Sequence, residues 1–474
     1  MSRKGKLRYI SSLAFLLYKP RIQLSNPPGN LPLQMQLNEP VSGILSKLAI
    51  KSLNPMQESA STAILSKQDV LLLSPTGSGK TLGFLLPVWQ MLQSDNTRVQ
   101  CLILTPSREL AIQIEQVWKK MATGYKVSCC YGGHDMQTEI QNLTEPPALL
   151  IGTPGRIGDH IKRATFSLDS VTTLILDEFD KSLALGFEEE MSYIMGSLKH
   201  LNKKIFVSAT ASVDIPAFAG IGELTVLNFS DAEESANALS LKLVLSDEKD
   251  KVDKLVELLS YIHSEPALIF CNHRDAVERT CTLLKEKGIE SAAFHGGMEQ
   301  MQREQTLIQF RNGSILFLVA TDLAARGLDI PEMKHVIHYH LPSTEAEFTH
   351  RNGRTARMNA AGTAYLLMHA DEPLPYYIHQ KPAVLTIPPG QKLPKSPEWI
   401  TLYINGGKKD KLNKVDIVGF LSQKGQLEKS ELGLIIVKDY NSFVAVKKHK
   451  VKNLLPLVQQ EKIKGTKYKI VVAK

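Results

Sequence analysis

The 474-residue sequence predicts an α/β protein, with two tandem parallel-sheet domains followed by a small separate α+β module. Three observations predict this. From about residue 45 to 370, short apolar runs ending in Gly, Ser, Thr or Asp alternate with helix-period segments, the pattern of parallel strands joined by helices. A polar, acid-rich connector near residues 230–240 divides that alternation in two. The end of the chain is set apart by charge: residues 401–474 hold sixteen Lys and no Arg against six acids, or +10, so the preceding 400 residues carry −2 of the total of +8.

In chain order, residues 1–34 form an N-terminal extension with six basic side chains and no acid, broken by Pro20, Pro27, Pro28 and Pro32. An organelle transit peptide has the same character, but the favoured reading is a disordered extension, or an upstream reading of the start codon with Met35 directly before the first amphipathic stretch. The first α/β domain spans residues 35–229, with strands expected at 70–73, 101–104, 148–151, 174–176 and 205–207. The second spans 241–372, with strands at 267–270, 291–294, 315–319, 336–340 and 364–368. Seven prolines between Pro373 and Pro397 disfavour regular structure, so residues 373–400 are expected to be a semi-rigid linker. The basic module follows at 401–474, with strands expected at 434–437, 442–446 and 470–472, and its charge suits a polyanion, above all nucleic acid.

Composition excludes several classes. The 43% hydrophobic and 22% charged content is that of a globular chain. The longest apolar stretch near the N-terminus covers residues 13–18, far short of the ~18 or more that a spanning helix needs. Five scattered cysteines without a CxxC pair imply neither a disulfide framework nor a zinc site, and point to a reducing, cytoplasmic setting.

Chemistry enters at Ser74-Pro75-Thr76-Gly77-Ser78-Gly79-Lys80-Thr81, which follows the apolar run 69–73 and precedes the helix-period residues Leu82, Leu85, Leu86 and Trp89. A small-residue loop at a helix N-terminus lets backbone N–H groups cradle phosphates where the helix dipole favours negative charge. Lys80 then reaches the terminal phosphates and the Thr81 hydroxyl binds Mg²⁺, with Ser74 standing where the strict pattern has Gly. A nucleoside triphosphatase also needs carboxylates at the end of a neighbouring strand. Asp177-Glu178 supplies them, Asp177 holding Mg²⁺ through water and Glu178 positioning the attacking water.

With Asp177-Glu178-Phe179-Asp180 in place, the chain from about 45 to 370 resembles the DEAD-box family of RNA helicases. The family's elements stand here, in order, as Asn54-Pro55-Met56-Gln57, the loop just described, Pro106-Ser107-Arg108-Glu109-Leu110-Ala111, Gly132-Gly133, Thr153-Pro154-Gly155-Arg156, the DEFD box and Ser208-Ala209-Thr210. The second domain continues with Ile269-Phe270-Cys271-Asn272, His295-Gly296-Gly297-Met298, Gln300 to Arg303, the segment from Ala320 to Asp329, and His350-Arg351-Asn352-Gly353-Arg354-Thr355-Ala356-Arg357.

The resemblance implies two RecA-like domains and a set of roles. Gln57 reads the adenine edge of ATP, Asp329 contacts the ribose, Arg354 and Arg357 reach across to the γ-phosphate, and Ser208-Ala209-Thr210 couples the DEFD box to closure. RNA contacts, mostly to phosphates and sugars, fall to Pro106, Arg108, Glu109, Gly133, Thr153, Pro154, Gly155, Arg156, Arg303 and Thr321. The sequence departs from the family at Phe179 (family Ala), Ile50 (family aromatic, packing on adenine) and Ala356 (family Gly).

The stretch from Gly407 to Leu421, with Lys408, Lys409 and Lys411, is similar to the opening of the RNA-binding domain of DbpA-type DEAD-box proteins, which implies an RRM-like fold docking on structured ribosomal RNA. No aromatic RNP signature is evident, and Tyr440, Phe443 and Tyr468 are read as core. The resemblance therefore implies a monomeric ATP- and Mg²⁺-dependent helicase that locally unwinds short RNA duplexes in large-subunit ribosome assembly. An ATP-gated RNA clamp or chaperone uses the same residues.

Overall fold

The structure is a computed structural model that describes residues 23–24, 39–75, 77–209, 215–229, 239–322, 333–355 and 362–473. Thr76, Thr210, Asp329, Ala356 and Arg357, all singled out above, lie outside these residues.

The first lobe is an eight-stranded, fully parallel sheet. Its strands are β1 (Gln23–Leu24), β2 (Asp69–Leu73), β3 (Cys101–Leu104), β4 (Val127–Cys130), β5 (Leu149–Gly152), β6 (Thr173–Asp177), β7 (Lys203–Ser208) and β8 (Leu224–Asn228). Their order is β1-β8-β2-β7-β6-β3-β5-β4. The central strands are apolar throughout because both faces are covered. In β2, Val70 and Leu72 join one core while Leu71 and Leu73 join the other, each buried side chain contributing about 1.5–3 kcal/mol. β2 and β6 lie in the middle of the sheet, so the phosphate loop and the DEFD box leave its same edge.

The second lobe is a seven-stranded parallel sheet. Its strands are β9 (Leu239–Ser246), β10 (Ala267–Phe270), β11 (Ala292–Phe294), β12 (Phe317–Ala320), β13 (His335–His338), β14 (Gly362–His369) and β15 (Ala383–Val384), in the order β11-β12-β10-β13-β14-β9-β15. β15 falls inside the proline-rich stretch expected to be a linker. That stretch instead lies along the second lobe: Ala383 and Val384 pair with β9, Leu385 N–H donates to the Leu243 carbonyl (2.7 Å), and Leu385 and Ile387 pack on the apolar core. The prolines flank β15 without entering it, so its backbone remains free to bond the sheet edge.

The third unit is an antiparallel sheet of β16 (Trp399–Ile404), β17 (Leu432–Val437), β18 (Ser442–Lys447) and β19 (Ile470–Val472), ordered β17-β18-β16-β19. Helices Lys414–Gln423 and Lys448–Val458 help enclose its core of Leu402, Ile417, Leu421, Val444 and Leu454. β16 begins at Trp399, two residues before the expected boundary, and Phe443 and Tyr468 are core residues as read. Tyr440 is a correction: it sits on the turn between β17 and β18 and is 72% exposed.

The basic unit docks on the second lobe. Asn312 Nδ2 donates to Thr401 Oγ1 (3.1 Å), Ser314 and Thr401 hydroxyls lie 2.7 Å apart, Gln309 Nε2 donates to the Ala473 carbonyl (3.1 Å), and Lys438 pairs with Glu304. Among the described residues no helix is long and apolar enough to cross a membrane.

Candidate active site and RNA-facing seam

The phosphate loop links β2 to the helix Lys80–Met91. The Lys80 ammonium donates to the carbonyls of Ser74 (2.5 Å) and Pro75 (2.8 Å), and Ser74 Oγ donates to Ser78 Oγ (2.8 Å). Gly77 is exposed, while Pro75, Ser78, Gly79 and Thr81 are half-buried around Lys80. Asn54 and Gln57 form a reciprocal cap at the start of the helix Pro55–Leu65: Gln57 N–H donates to Asn54 Oδ1 (2.9 Å) and Asn54 N–H to Gln57 Oε1 (3.0 Å). Gln57 Nε2 also donates to the Gly79 carbonyl (3.2 Å). The residue expected to read adenine thus braces the phosphate loop. A primary amide carries two donor hydrogens and two acceptor lone pairs, so one of each remains for a base.

β6 ends in Asp177, whose Oδ1 accepts from the Glu178 N–H (2.9 Å). Glu178 adopts a left-handed backbone (φ 50°) before the short helix Phe179–Ala184, a conformation that costs a non-glycine residue about 1–2 kcal/mol and recurs at functional sites. Phe179 is buried against Phe206 of β7, ring centroids 5.6 Å apart at 73°, so the larger side chain at this position fills core beneath the carboxylates.

Electrostatics separate the two acids. Burial and the neighbouring Glu178 charge push Asp177 above the usual carboxylate range, against the pull of Lys80 and Lys181. Burial pushes Glu178 the same way, but the Lys181 ammonium 2.6 Å from Oε1, with Arg354 and His350 beyond, outweighs it and holds Glu178 low. Burial lowers Lys80, opposed by Asp177 and Glu178. Glu178 Oε2 is buried without a hydrogen-bond partner. Lys181 was not foreseen, although its i+3 spacing from Glu178 at a helix start was visible in the sequence.

The second lobe meets this edge. His350 Nε2 lies 3.5 Å from Asp180 Oδ2, and the buried Arg354 acts on Glu178. His350 and Arg351 end the helix Glu345–Asn352, whose start is capped by Thr344. Arg351 is structural: it binds Asp322 through Nε (2.7 Å) and Nη2 (2.5 Å) and donates to the His340 carbonyl.

The residues expected to contact RNA flank a second seam between the lobes. Arg303 Nη2 lies 2.9 Å from Glu109 Oε1, with Arg108 Nε 3.6 Å from the same oxygen, and the Arg303 guanidinium stacks over the Phe294 ring at 5.2 Å. Arg108 Nη1 donates to the Gly132 carbonyl (3.2 Å). Gly133 has φ +84°, a backbone that calls for glycine, and a Cβ there would fall 2.7 Å from Arg108 Nη1 and displace the end of that side chain. Pro106 and Thr321 are buried, and Thr153, Pro154 and Gly155 open the helix Pro154–Lys162.

Arg156 is spent inside the protein. Its Nη1 donates to Glu139 Oε2 (2.9 Å) and its Nη2 to the His134 carbonyl (3.0 Å). Glu139, 1% exposed, also accepts from Tyr131 N–H (3.1 Å) and lies 2.8 Å from His160 Nε2. Cys130, Glu139 and His160 have donor atoms within 4.8 Å of one another, but Arg156 already occupies the carboxylate, so the cluster is a charge-paired brace for this loop. In the third unit, Lys408, Lys409 and Lys411 are exposed on one loop.

Comparison with known proteins agrees with this geometry. Residues 54–217 match the DEAD/DEAH box helicase family, 250–359 the helicase conserved C-terminal domain and 401–472 the DbpA RNA binding domain. The ATP-dependent RNA helicase DbpA of Escherichia coli is 32% identical over 431 residues, covering 89% of this chain and 94% of the relative. Its Bacillus subtilis namesake is 30% identical over 470 residues, covering 92% and 98%. Among solved structures, S. cerevisiae Dbp5 bound to RNA and ADP BeF3 superposes with a TM-score of 0.62 at 25% identity over 70% of this chain and 88% of that one. Mss116p bound to ssRNA and AMP-PNP gives 0.63 at 27% identity, over 71% and 73%. With the phosphate loop, the DEFD carboxylates and the basic tail unit each in its family's place, the chain belongs to the DEAD-box ATP-dependent RNA helicases of the DbpA type.

Proposed function

We propose that this chain uses ATP binding to draw its two lobes together on an RNA strand, opens short duplexes locally, and acts in large-subunit ribosome assembly with its tail unit holding structured ribosomal RNA. The observation that carries the reading is the meeting of the lobes at the DEFD box, where His350 approaches Asp180 at 3.5 Å and Arg354 acts on Glu178. Groups that stabilise a transferring phosphoryl are thereby divided between lobes, which makes turnover depend on closure. We place the protein in the cytoplasm as a monomer. The ribosomal target rests on the tail's likeness to DbpA RNA-binding domains.

Within the site, an incoming phosphate competes with the Ser74 and Pro75 carbonyls for Lys80. Glu178, held ionised, is the acceptor that orients the attacking water, and Arg354, with Arg357 after it in the chain, faces the γ-phosphate. The residues fit Mg²⁺: the donors are hard oxygens, Asp177 is a carboxylate that burial and the Glu178 charge hold above its ordinary range, and Glu178 Oε2 lacks a partner. Thr81 and Asp177 would hold the ion, which neutralises charge on the outer phosphates when bound. Gln57 and Asp329 contact adenine and ribose. Pro106, Arg108, Glu109, Gly133, Thr153, Pro154, Gly155, Arg303 and Thr321 line the strand, and Arg156 acts by holding its loop.

The test is steady-state ATP turnover with no RNA, an unrelated RNA and fragments of large-subunit ribosomal RNA, beside strand displacement. Stimulation by one ribosomal fragment with strand separation is expected, and Lys80→Ala should abolish turnover. Turnover surviving in that variant refutes the assignment of the site, and stimulation without strand separation identifies a clamp instead.

A further inference from the structure

We propose that the turn Lys438-Asp439-Tyr440-Asn441 and the lysine loop beside it form a subsite for single-stranded RNA, in which Tyr440 stacks on a base and continues the strand's path out of the lobes. The proposal rests on the RNA-helicase reading above and goes beyond it in naming the surface and the mode of recognition.

Four observations carry it. Tyr440 is 72% exposed at the tip of its turn, which is closed by Lys438 N–H donating to the Asn441 carbonyl (2.8 Å). An uncovered aromatic face beside positive charge is the arrangement that binds single strands, because every base offers a π-face and every linkage a phosphate. The turn is joined to the lysine loop through the backbone: Lys408 N–H donates to the Lys438 carbonyl (2.8 Å) and Lys409 N–H to the Asp439 carbonyl (2.9 Å). Gly407 permits that approach, since a Cβ there would lie 2.3 Å from the Lys438 carbonyl oxygen.

The third observation is a pair of unanswered acceptors. Asn441 Oδ1 and, on the facing helix Gln300–Arg311, Gln300 Oε1 are both withdrawn from solvent without a hydrogen-bond partner. A rotation of either amide brings its oxygen to the surface, where it can accept from a 2′-hydroxyl or an exocyclic amine, the two donors an RNA strand brings. The fourth is position. Lys438 pairs with Glu304, the helix neighbour of Arg303, and Arg303 in turn pairs with Glu109 across the lobes. The turn therefore adjoins the seam where the expected RNA contacts converge. An acidic peptide would answer the lysines but leave the ring and the two acceptors unused.

The experiment measures affinity of the full chain for a single-stranded oligouridine by fluorescence anisotropy across a salt series, for wild type, Tyr440→Ala, Tyr440→Trp and Lys409→Ala. Tyr440→Ala should weaken binding about 10-fold, the loss of one stacked base, with the salt slope unchanged because no charge is removed. Tyr440→Trp should retain wild-type affinity, and Lys409→Ala should lower the slope by about 0.7. Wild-type affinity in Tyr440→Ala, or equal loss in Tyr440→Trp, overturns the proposal. Stimulation of wild-type ATP turnover by fragments of large-subunit ribosomal RNA is read alongside. Its absence refutes the helicase reading, whereas its presence with undiminished Tyr440→Ala binding refutes the subsite alone.

Discussion

Replacing Glu139 by Ala strips the acceptor from Arg156 Nη1, from the Tyr131 N–H and from the His160 ring at once, in a site where the carboxylate is 1% exposed. Breaking a buried ion pair by removing one partner costs about 3–5 kcal/mol, because the remaining charge stays buried without compensation. The Arg156 side chain retains 13% exposure and keeps its bond to the His134 carbonyl, which places the expected loss at the lower end, about 3 kcal/mol. Urea denaturation of the wild type, Glu139→Ala, Arg156→Ala and the double variant measures it as a thermodynamic cycle. The double variant should recover part of the loss, giving a coupling of about 1–3 kcal/mol. RNA binding across a salt series completes the test, since an arginine that neutralised a phosphate would take about 0.7 from the salt slope when removed. A stable Glu139→Ala variant, or an Arg156→Ala variant of normal stability whose salt slope falls, would refute the view that this arginine holds its loop rather than the strand.

Gly133→Ala should cost about 1–2 kcal/mol of left-handed strain, read as a lower denaturation midpoint, and push Arg108 from the Gly132 carbonyl, with Gly133→Asn milder because Asn tolerates that backbone. Glu109→Arg or Arg303→Glu alone should hold the lobes apart in inter-lobe fluorescence transfer. The swapped double variant should bring them back together, and failure of that rescue would mean that the pair does not bridge them. Burial beside the positive Arg351 pushes His338 down to about 3 from its ordinary 6.5, against the stabilising hydrogen bond to Asn352. The folded protein thus keeps this imidazole neutral while the unfolded chain protonates it below pH 6.5. Stability contributed above that pH is lost on acidification towards pH 3, at up to ~1.4 kcal/mol per unit, and His338→Asn should flatten that part of a stability-against-pH curve.

The central strands were legible because a parallel strand covered on both faces is an unbroken apolar run, as β2, β3 and β5 are. Strand β4 was not: Val-Ser-Cys-Cys lies at the sheet edge, half its residues only partly buried, and carries neither a run nor a clear alternation. β16 hid behind Pro397 and across a boundary drawn from charge, since its residues Trp399–Ile404 are uncharged. Within the site, Lys80, Thr81, Asp177 and Glu178 could be read because each stands on a short loop whose order fixes its place. The bonds of Gln57 to the phosphate loop follow from an Asn-x-x-Gln cap that sequence alone displays, yet its likeness to an adenine reader directed attention elsewhere. Glu139 with Arg156 and Glu109 with Arg303 had no such signature. Charges that meet through the fold leave no periodicity in the chain, and the exposure of Tyr440 depends on what the neighbouring loops leave uncovered.

The docking of the proline-rich stretch along the second lobe changes what the tail can do. A free coil of the length between residues 373 and 400 would let an anchored RNA wander over roughly 30 Å, supplying local concentration and little else. Fastened at Ala383–Val384 and again at Thr401, Ala473 and Lys438, the tail cannot pay out like a leash. It works as a ruler, holding whatever it grips at a set distance and angle from the second lobe. On the function proposed above, RNA gripped by the tail is carried as freight when the lobes close, and the span between anchor and catalytic seam selects which duplex in a folded RNA comes within reach.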